Sequence, residues 1–148
     1  MKDLTIRLAE NKDIEEVGKL WIKMVKELNP EHTPNIDWWH RLTGELLKTE
    51  DTYYLTVAEK DNTIIGFLDA LKFYNPTTGK LHGIGQSFYV LPEHRNAKIS
   101  VKIYKFVLNI AKEQHIEILE LITPLKDFWK KKGYNETTKT MVKLWQTQ

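Results

Sequence analysis

The turn between Pro92 and Ser100 carries the residue types best suited to holding a phosphate group. An apolar run ends at Pro92, the polar turn contains Arg95 and Lys98, and an amphipathic pattern opens near Ser100. A turn that opens a helix leaves backbone N–H groups unpaired at the positive end of the helix dipole, where anions bind well. The turn is therefore predicted to bind a phosphate-bearing cofactor. The alternative is an ordinary strand-to-helix connection with two solvated basic residues.

Two elements must position this turn. The strand predicted before it, residues 81–91, contains Gly83 and Gly85 in its first half. Isolated glycines within a strand mark a bulge, or a place where another group approaches the backbone. The helix predicted after the turn has apolar residues on one side and a row of lysines on the other, which is typical of an amphipathic helix with a solvated face.

The other elements follow from hydrophobic periodicity and turn residues. The first helix is predicted to begin behind Asp13, which together with Glu16 has the spacing of a capping box. A second helix is predicted at residues 35–48. A short helix containing Trp129 is predicted to end at Gly133, a residue suited to a helix C-terminus. The predicted strands are residues 4–8, 53–59, 63–74, 81–91, 116–122 and 138–145.

Composition narrows the class of protein. A chain of 148 residues with 41% hydrophobic residues is predicted to form one domain, residues 1–148, with a substantial core. The net charge of +2 gives no support to a nucleic-acid or membrane partner. Without cysteine there is no disulfide, thiol nucleophile or thiolate metal site, and we expect no metal. No apolar run suits a signal peptide or a membrane span, so a cytoplasmic protein is expected.

The segment around the turn resembles the acetyl-CoA-binding segment of the GNAT N-acetyltransferases. Val90, Pro92, Arg95 and Ser100 stand at matching positions of the pattern Val-x-Pro-x-x-Arg/Gln-x-x-Gly-x-Gly/Ala, whereas Lys98 replaces its first glycine and makes the motif degenerate. The resemblance implies acetyl-CoA as the cofactor and a bulge in the preceding strand that opens a cleft for the pantetheine arm. The cofactor-binding residues that it implies are Tyr89, Val90, Arg95, Asn96, Ala97, Lys98, Ile99 and Ser100.

A second segment supports the same resemblance. Residues 128–134 read Phe-Trp-Lys-Lys-Lys-Gly-Tyr and are followed by Met141-Val142-Lys143, similar to the closing pattern of that family. The element order β-α-α-β-β-β-α-β-α-β also matches. The implied fold is α+β, with a mixed, mostly antiparallel sheet of six to seven strands flanked by about four helices.

The catalytic residues implied by the resemblance depart from the family's pattern. Direct attack of an amine on the thioester needs a base, and Gln86 stands where the family often has a glutamate. His82 is the base predicted instead, because imidazole titrates near neutral pH, and Asp69 is the other candidate. Trp129 stands at the position of the tyrosine that usually protonates the leaving thiolate.

The acceptor side is predicted from resemblance alone. The first two helices and their connection help to wall the acceptor site in the family, so Trp38, Trp39 and His32 are candidate substrate contacts. The alternative for the tryptophans is aromatic packing under a loop. The acceptor would be a small-molecule or peptide amine, and two copies could pair through the closing strand. Two functions stay open: an acetyl-CoA-dependent N-acetyltransferase, or a catalytically silent GNAT-like domain that binds CoA or another protein.

Overall fold

A twisted sheet with helices on both faces forms the body of the protein. The computed structural model describes residues 3–49, 51–121, 126–131 and 133–135. The strands are β1 (Leu4–Leu8), β2 (Tyr53–Lys60), β3 (Thr63–Tyr74), β4 (Leu81–Val90) and β5 (Ile118–Leu121). The helices are α1 (Ile14–Leu28), α2 (Ile36–Leu47), α3 (Ala97–Glu113) and α4 (Lys126–Lys130), with short 3₁₀ turns at Asn11–Asp13 and Pro92–His94.

The strands lie in sequence order across the sheet. β1 to β4 pair antiparallel, whereas β4 and β5 pair parallel. A parallel pair needs a crossover connection, and α3 provides it. The mixed α+β class and the predicted element order are confirmed as far as the described residues extend, with five strands. The sixth predicted strand, residues 138–145, lies outside them.

The two faces of the sheet are covered by different helices. The side chain of Tyr89 reaches Glu27 of α1, whereas a Cβ built on Gly66 on the other face would meet Ile103 of α3 at 3.4 Å. Because both faces are covered, β2 and β3 contain runs that are buried without alternation, at residues 55–58 and 64–68. None of the helices in the described part of the chain is long and apolar enough to cross a membrane.

The first helix begins directly behind Asp13, as predicted, whereas the predicted start of α3 and the predicted capping box are wrong. α3 begins at Ala97 rather than near Ser100, since the Asn96 side-chain oxygen accepts the Ile99 N–H at 3.1 Å and caps the helix earlier. The predicted capping box of Asp13 and Glu16 does not form. Asp13 instead accepts the Glu10 N–H at 2.7 Å. The Glu16 carboxylate, in turn, accepts the Ile64 N–H at 2.9 Å.

The predicted end of α4 is confirmed. Gly133 has a φ of +91°, in the left-handed region that glycine adopts freely. Its N–H donates to the Lys130 carbonyl at 3.0 Å, and the Tyr134 N–H donates to the Trp129 carbonyl at 3.1 Å. These bonds satisfy carbonyl groups that a helix end would otherwise leave without partners.

Candidate active site

A β-bulge interrupts β4 next to one of its glycines. Asp69 of β3 lies opposite Ser87, but the following residue, Ala70, lies opposite Gly85. Gln86 is therefore an extra residue in β4, and its side chain is exposed. The bulge predicted for this strand is confirmed. A bulge bends its strand and ends regular pairing, which is why such features are common at functional sites.

Beyond the bulge, one edge of β4 is open among the described residues. β5 pairs with His82 to Gly85 and with nothing after the bulge. The Leu91 N–H donates to the Ile65 carbonyl at 2.9 Å, which fixes the alternation: the amide of Tyr89 also faces β3, while those of Phe88 and Val90 face away from it. The open edge thus presents the Phe88 and Val90 N–H groups, and the structure does not bring the Tyr89 amide to it.

Asp69 lies at the bulge, with its carboxylate largely withdrawn from water and without a cation among its described neighbours. Its Oδ1 accepts the Ser87 N–H at 2.7 Å, which a regular strand would have given to a backbone carbonyl. Its Oδ2 accepts the Tyr53 hydroxyl at 3.2 Å. Burial raises the pKa of Asp69 to about 6, against the opposing effect of the hydrogen bonds from Ser87 and Tyr53. Asp69 is therefore an ionised base at neutral pH whose conjugate acid is weak enough to form in a reaction.

His82 does not reach this bulge. It lies at the start of β4, opposite Phe73, which is about 13 Å along β3 from Asp69. The ring is 4% exposed and packs against Phe73, and neither ring nitrogen has a hydrogen-bond partner among the described residues. Its Nδ1 lies 3.8 Å from a carboxylate oxygen of Glu120. Between the two bases predicted from the sequence, the geometry favours Asp69.

The turn after β4 presents the amides expected of an anion site. The cap formed by Asn96 uses the Ile99 N–H, which leaves the Ala97 and Lys98 N–H groups of the first turn of α3 without a partner among the described residues. The Lys98 side chain is exposed, and Ile99 is buried in the core. Ser100 already lies within the helix, where its N–H points to the Asn96 carbonyl at 3.5 Å. Two amides therefore lie together at the start of α3, and the Lys98 side chain there is exposed.

The Arg95 side chain contacts other residues of the protein. Its guanidinium makes a two-pronged ion pair with Glu27 of α1, with both N···O distances at 2.7 Å. Its Nε donates to the Val90 carbonyl at 2.8 Å, and its Cζ lies 5.0 Å from the centre of the Tyr89 ring. These hydrogen bonds hold the pKa of Glu27 below its usual range and raise that of Arg95. Arg95 as a phosphate ligand stays a prediction, because its described contacts are all internal.

Trp129 belongs to an aromatic cluster on the α3 face. It is 4% exposed and packs against Tyr104 and Tyr134, with ring centres 5.2 Å and 5.5 Å away, and against Phe88 of β4. The hydroxyls of the two tyrosines are hydrogen-bonded at 3.0 Å, and burial raises the pKa of Tyr134. Through Phe88, this cluster supports the open edge of β4.

The three residues predicted to contact the acceptor differ in exposure in the structure. Trp39 is 6% exposed and stacks on Trp21 of α1 with ring centres 5.6 Å apart, so it is part of the core, as the packing alternative predicts. Trp38, its neighbour on α2, is 51% exposed. His32 is exposed in the connection between α1 and α2, where its Nε2 lies 3.8 Å from Glu31. Only Trp38 and His32, of these three residues, are accessible to a substrate.

A separate apolar pocket lies on the α3 face. It is lined by Tyr54, Ala70, Gly83 and Ile110 among others, and the Tyr54 hydroxyl is buried without a partner in the described structure. The side chain of Asp69 alternates with that of Ala70 along β3 and therefore lies on the opposite face. The pocket is not part of the candidate active site.

Two residues of the candidate site are not predicted from the sequence. Tyr53 lies 16 positions before the carboxylate it contacts, and Glu27 lies 68 positions before Arg95. For Glu27 a local signal exists: an acidic residue in the last turn of a helix opposes the helix dipole, so it needs a compensating cation.

Comparisons with known proteins agree with this geometry. The model of the acetyltransferase (GNAT) family matches residues 15–134. The structure resembles a possible acetyltransferase from Clostridium difficile 630 (17% identity, 99% of each chain covered, TM-score 0.81). It also resembles a ribosomal-protein-alanine N-acetyltransferase from Brucella melitensis biovar Abortus 2308 (18% identity, 97% of this chain and 99% of the other, TM-score 0.78).

A third structural neighbour carries a ligand. It is the aminoglycoside N-acetyltransferase AAC(6')-Iy in complex with CoA (19% identity, 97% of this chain and 95% of the other, TM-score 0.74). At these identities the structural neighbours show the fold alone, and no curated protein matches the sequence. The family match covers most of the chain. The chain therefore belongs to the acetyltransferase (GNAT) family, whose members bind acetyl-CoA or CoA and whose general activity is acyl transfer.

Proposed function

We propose that this protein transfers the acetyl group of acetyl-CoA to an amine, with Asp69 as the general base. The bulge at Gln86 carries this proposal, because one backbone irregularity produces both parts of the site. It opens the edge of β4 on one side and directs the Ser87 N–H onto the Asp69 carboxylate on the other. His82 has no part in this mechanism.

The chain's own groups fit the cofactor. The Phe88 and Val90 N–H groups at the open edge match the hydrogen-bonding pattern of an extended pantetheine arm. The Ala97 and Lys98 amides, with the Lys98 ammonium, match a diphosphate. Acetyl-CoA supplies the acetyl group as a thioester, whose C–S bond breaks as the C–N bond to the amine forms.

The residues at the bulge provide acid–base and electrostatic catalysis. Asp69 accepts a proton from the acceptor nitrogen, because its pKa of about 6 leaves it ionised at neutral pH. A backbone N–H of the open edge donates to the carbonyl oxygen as charge develops there. The hydrogen bonds from Ser87 and Tyr53 fix the orientation of the Asp69 carboxylate throughout. The departing thiolate takes its proton from solvent.

The acceptor is a primary amine on a small molecule or a peptide. Two structural neighbours are named as acetyltransferases of such amines, an aminoglycoside and the alanine of a ribosomal protein. Trp38 and His32 are the accessible residues that would contact it.

The test compares Asp69→Asn with the wild type in CoA binding and in thiol release with a panel of amines. The asparagine oxygen still accepts the Ser87 N–H, so the bulge and CoA affinity are retained. The acetyl-transfer rate falls at least about 100-fold, as for loss of a general base. The wild-type rate falls below about pH 6, and the variant lacks that decline. Asp61→Asn, at the exposed β2–β3 turn, is the matched control and keeps the full rate.

Two outcomes would overturn the proposal. A wild-type protein that binds neither CoA nor acetyl-CoA at millimolar concentration has no cofactor site. A wild-type protein that binds CoA but releases no thiol with any amine is the silent domain. An unchanged rate in Asp69→Asn would remove the base assignment alone.

A further inference from the structure

Glu27 connects three parts of the chain at the end of β4. It lies in the last turn of α1, one residue before the helix ends at Leu28. One carboxylate oxygen accepts the Tyr89 hydroxyl at 3.1 Å, and both oxygens accept N–H groups of Arg95 at 2.7 Å. Arg95 then donates to the Val90 carbonyl at 2.8 Å. α1, the strand end and the turn that leads to α3 are therefore joined through one carboxylate.

The position of this carboxylate is unfavourable without its partner. The C-terminal end of a helix carries partial negative charge, so a glutamate there is repelled, and a nearby cation removes that repulsion. The match between guanidinium and carboxylate is two-pronged, which fixes orientation as well as distance. The Tyr89 ring packs beneath the guanidinium and adds a third constraint. The three contacts hold Arg95 in one rotamer.

Three of the donors of Arg95 are used in this arrangement. A guanidinium has five N–H groups, and those on Nε, Nη1 and Nη2 that face the protein are used by Val90 and Glu27. We propose that Arg95 is a positioning residue locked by Glu27, which fixes the turn so that the Ala97 and Lys98 amides bind the diphosphate. In this arrangement Glu27 acts on the diphosphate site through Arg95, although it lies 68 positions before Arg95 in the sequence.

The inference rests on the proposed CoA site but differs from the prediction that Arg95 binds phosphate directly. If Arg95 were a direct ligand, Glu27 would compete with the diphosphate for it. Removing the Glu27 charge would then tighten CoA binding or leave it unchanged. If Arg95 holds the turn, removing either partner releases the same segment. Both single variants then weaken binding equally, and the double variant is no worse.

The test is a double-mutant cycle on CoA affinity with Glu27→Gln, Arg95→Gln and the double variant. Each single variant weakens CoA binding about tenfold, and the double variant weakens it by the same amount, because the two residues act through one contact. Glu15→Gln is the matched control, since Glu15 is an exposed residue on the same helix with Lys19 as its partner at 3.9 Å, and it leaves affinity unchanged. The proposal is overturned if Glu27→Gln binds CoA as tightly as the wild type, or more tightly, while Arg95→Gln does not.

A second measurement needs no CoA and separates this inference from the proposed function. Amide hydrogen exchange of residues 91–100 is followed in the absence of ligand. Faster exchange of this segment in both single variants, but not in Glu15→Gln, supports the lock even if the wild type proves unable to bind CoA. Unchanged exchange in Glu27→Gln contradicts it, whatever the outcome of the activity assays.

Discussion

Two aspartates in separate regions of the molecule show how a partner decides what a carboxylate does. Asp13 is 6% exposed and receives two N–H groups of Arg7, at 2.7 Å and 3.0 Å, together with the Glu10 N–H. These contacts hold the pKa of Asp13 below its usual range. Asp69 receives only an amide and a phenol, and burial raises its pKa to about 6. The first carboxylate is fixed as an anion, and the second can gain and lose a proton.

The difference in pKa follows from the groups that face each carboxylate. Removing a carboxylate from water disfavours its ionised form, and an adjacent cation reverses that effect. Arg7 supplies such a cation between β1 and α1, where it also pairs with Glu59 at 2.5 Å. No cation contacts Asp69 in the described part of the chain, and the hydrogen bonds at the bulge orient its carboxylate without neutralising it. A desolvated acid without a cation is unfavourable for stability, which is the expected signature of a catalytic group.

The largest expected change in stability comes from removing the cation that pairs with Asp13. Arg7→Met keeps the side-chain length but leaves Asp13 buried and unpaired, so the free energy of unfolding at pH 7 falls by about 3 kcal/mol. Urea unfolding measures it. Lys19→Met, which removes an exposed pair on α1, changes stability by less than about 0.5 kcal/mol. Equal effects of the two substitutions would mean that the Arg7 pair is no more than a surface contact.

A smaller change in the free energy of unfolding, a gain rather than a loss, is expected for Asp69→Asn. Because the pKa of Asp69 in the folded protein is above the ordinary value, this group binds an extra proton in the native state between about pH 4 and pH 6, and its contribution to stability falls as pH rises through that window. The amide that replaces the carboxylate in the Asp69→Asn variant does not titrate. The variant is therefore more stable than the wild type by about 2 kcal/mol at pH 8, and the difference disappears near pH 4.

Thermal unfolding from pH 4 to pH 8 measures this difference. Asp13→Asn is the contrasting variant: the depressed pKa of Asp13 contributes stability above its ordinary value, so that substitution is destabilising at pH 8 and less so in acid. If Asp69→Asn is destabilising at every pH, the carboxylate has a structural role like that of Asp13.

Local patterns in the sequence predict most of the fold. The strands at residues 53–60 and 63–74 follow from apolar runs separated by a short turn, and Gly85 marks the bulge within one residue. Contacts between residues far apart in sequence are not encoded in such patterns. The capping spacing of Asp13 and Glu16 gives way to Arg7 on a neighbouring strand and to Ile64, because tertiary partners outcompete local ones.

The candidate site is predictable in part. The turn and the amides of α3 follow from sequence, since they depend on one strand end and one helix start. The proposed base does not, because the choice between His82 and Asp69 depends on strand register and on the single residue by which β4 is bulged. The partner of Arg95 is equally hidden, since Glu27 lies on a helix that is brought to the turn only by folding.

The smallest expected effect is that of His82→Leu, which tests whether Asp69 or His82 is the base. His82→Leu replaces a buried ring whose nitrogens have no described partners with an apolar side chain, so the lost packing against Phe73 is offset by the removal of unsatisfied polar atoms. Stability changes by less than about 1 kcal/mol. Thiol release with the best amine changes less than about twofold, because the residue lies opposite Phe73, about 13 Å along β3 from Asp69. A 100-fold loss of rate with unchanged stability would instead make His82 the base, and the raised pKa of Asp69 would then reflect burial alone.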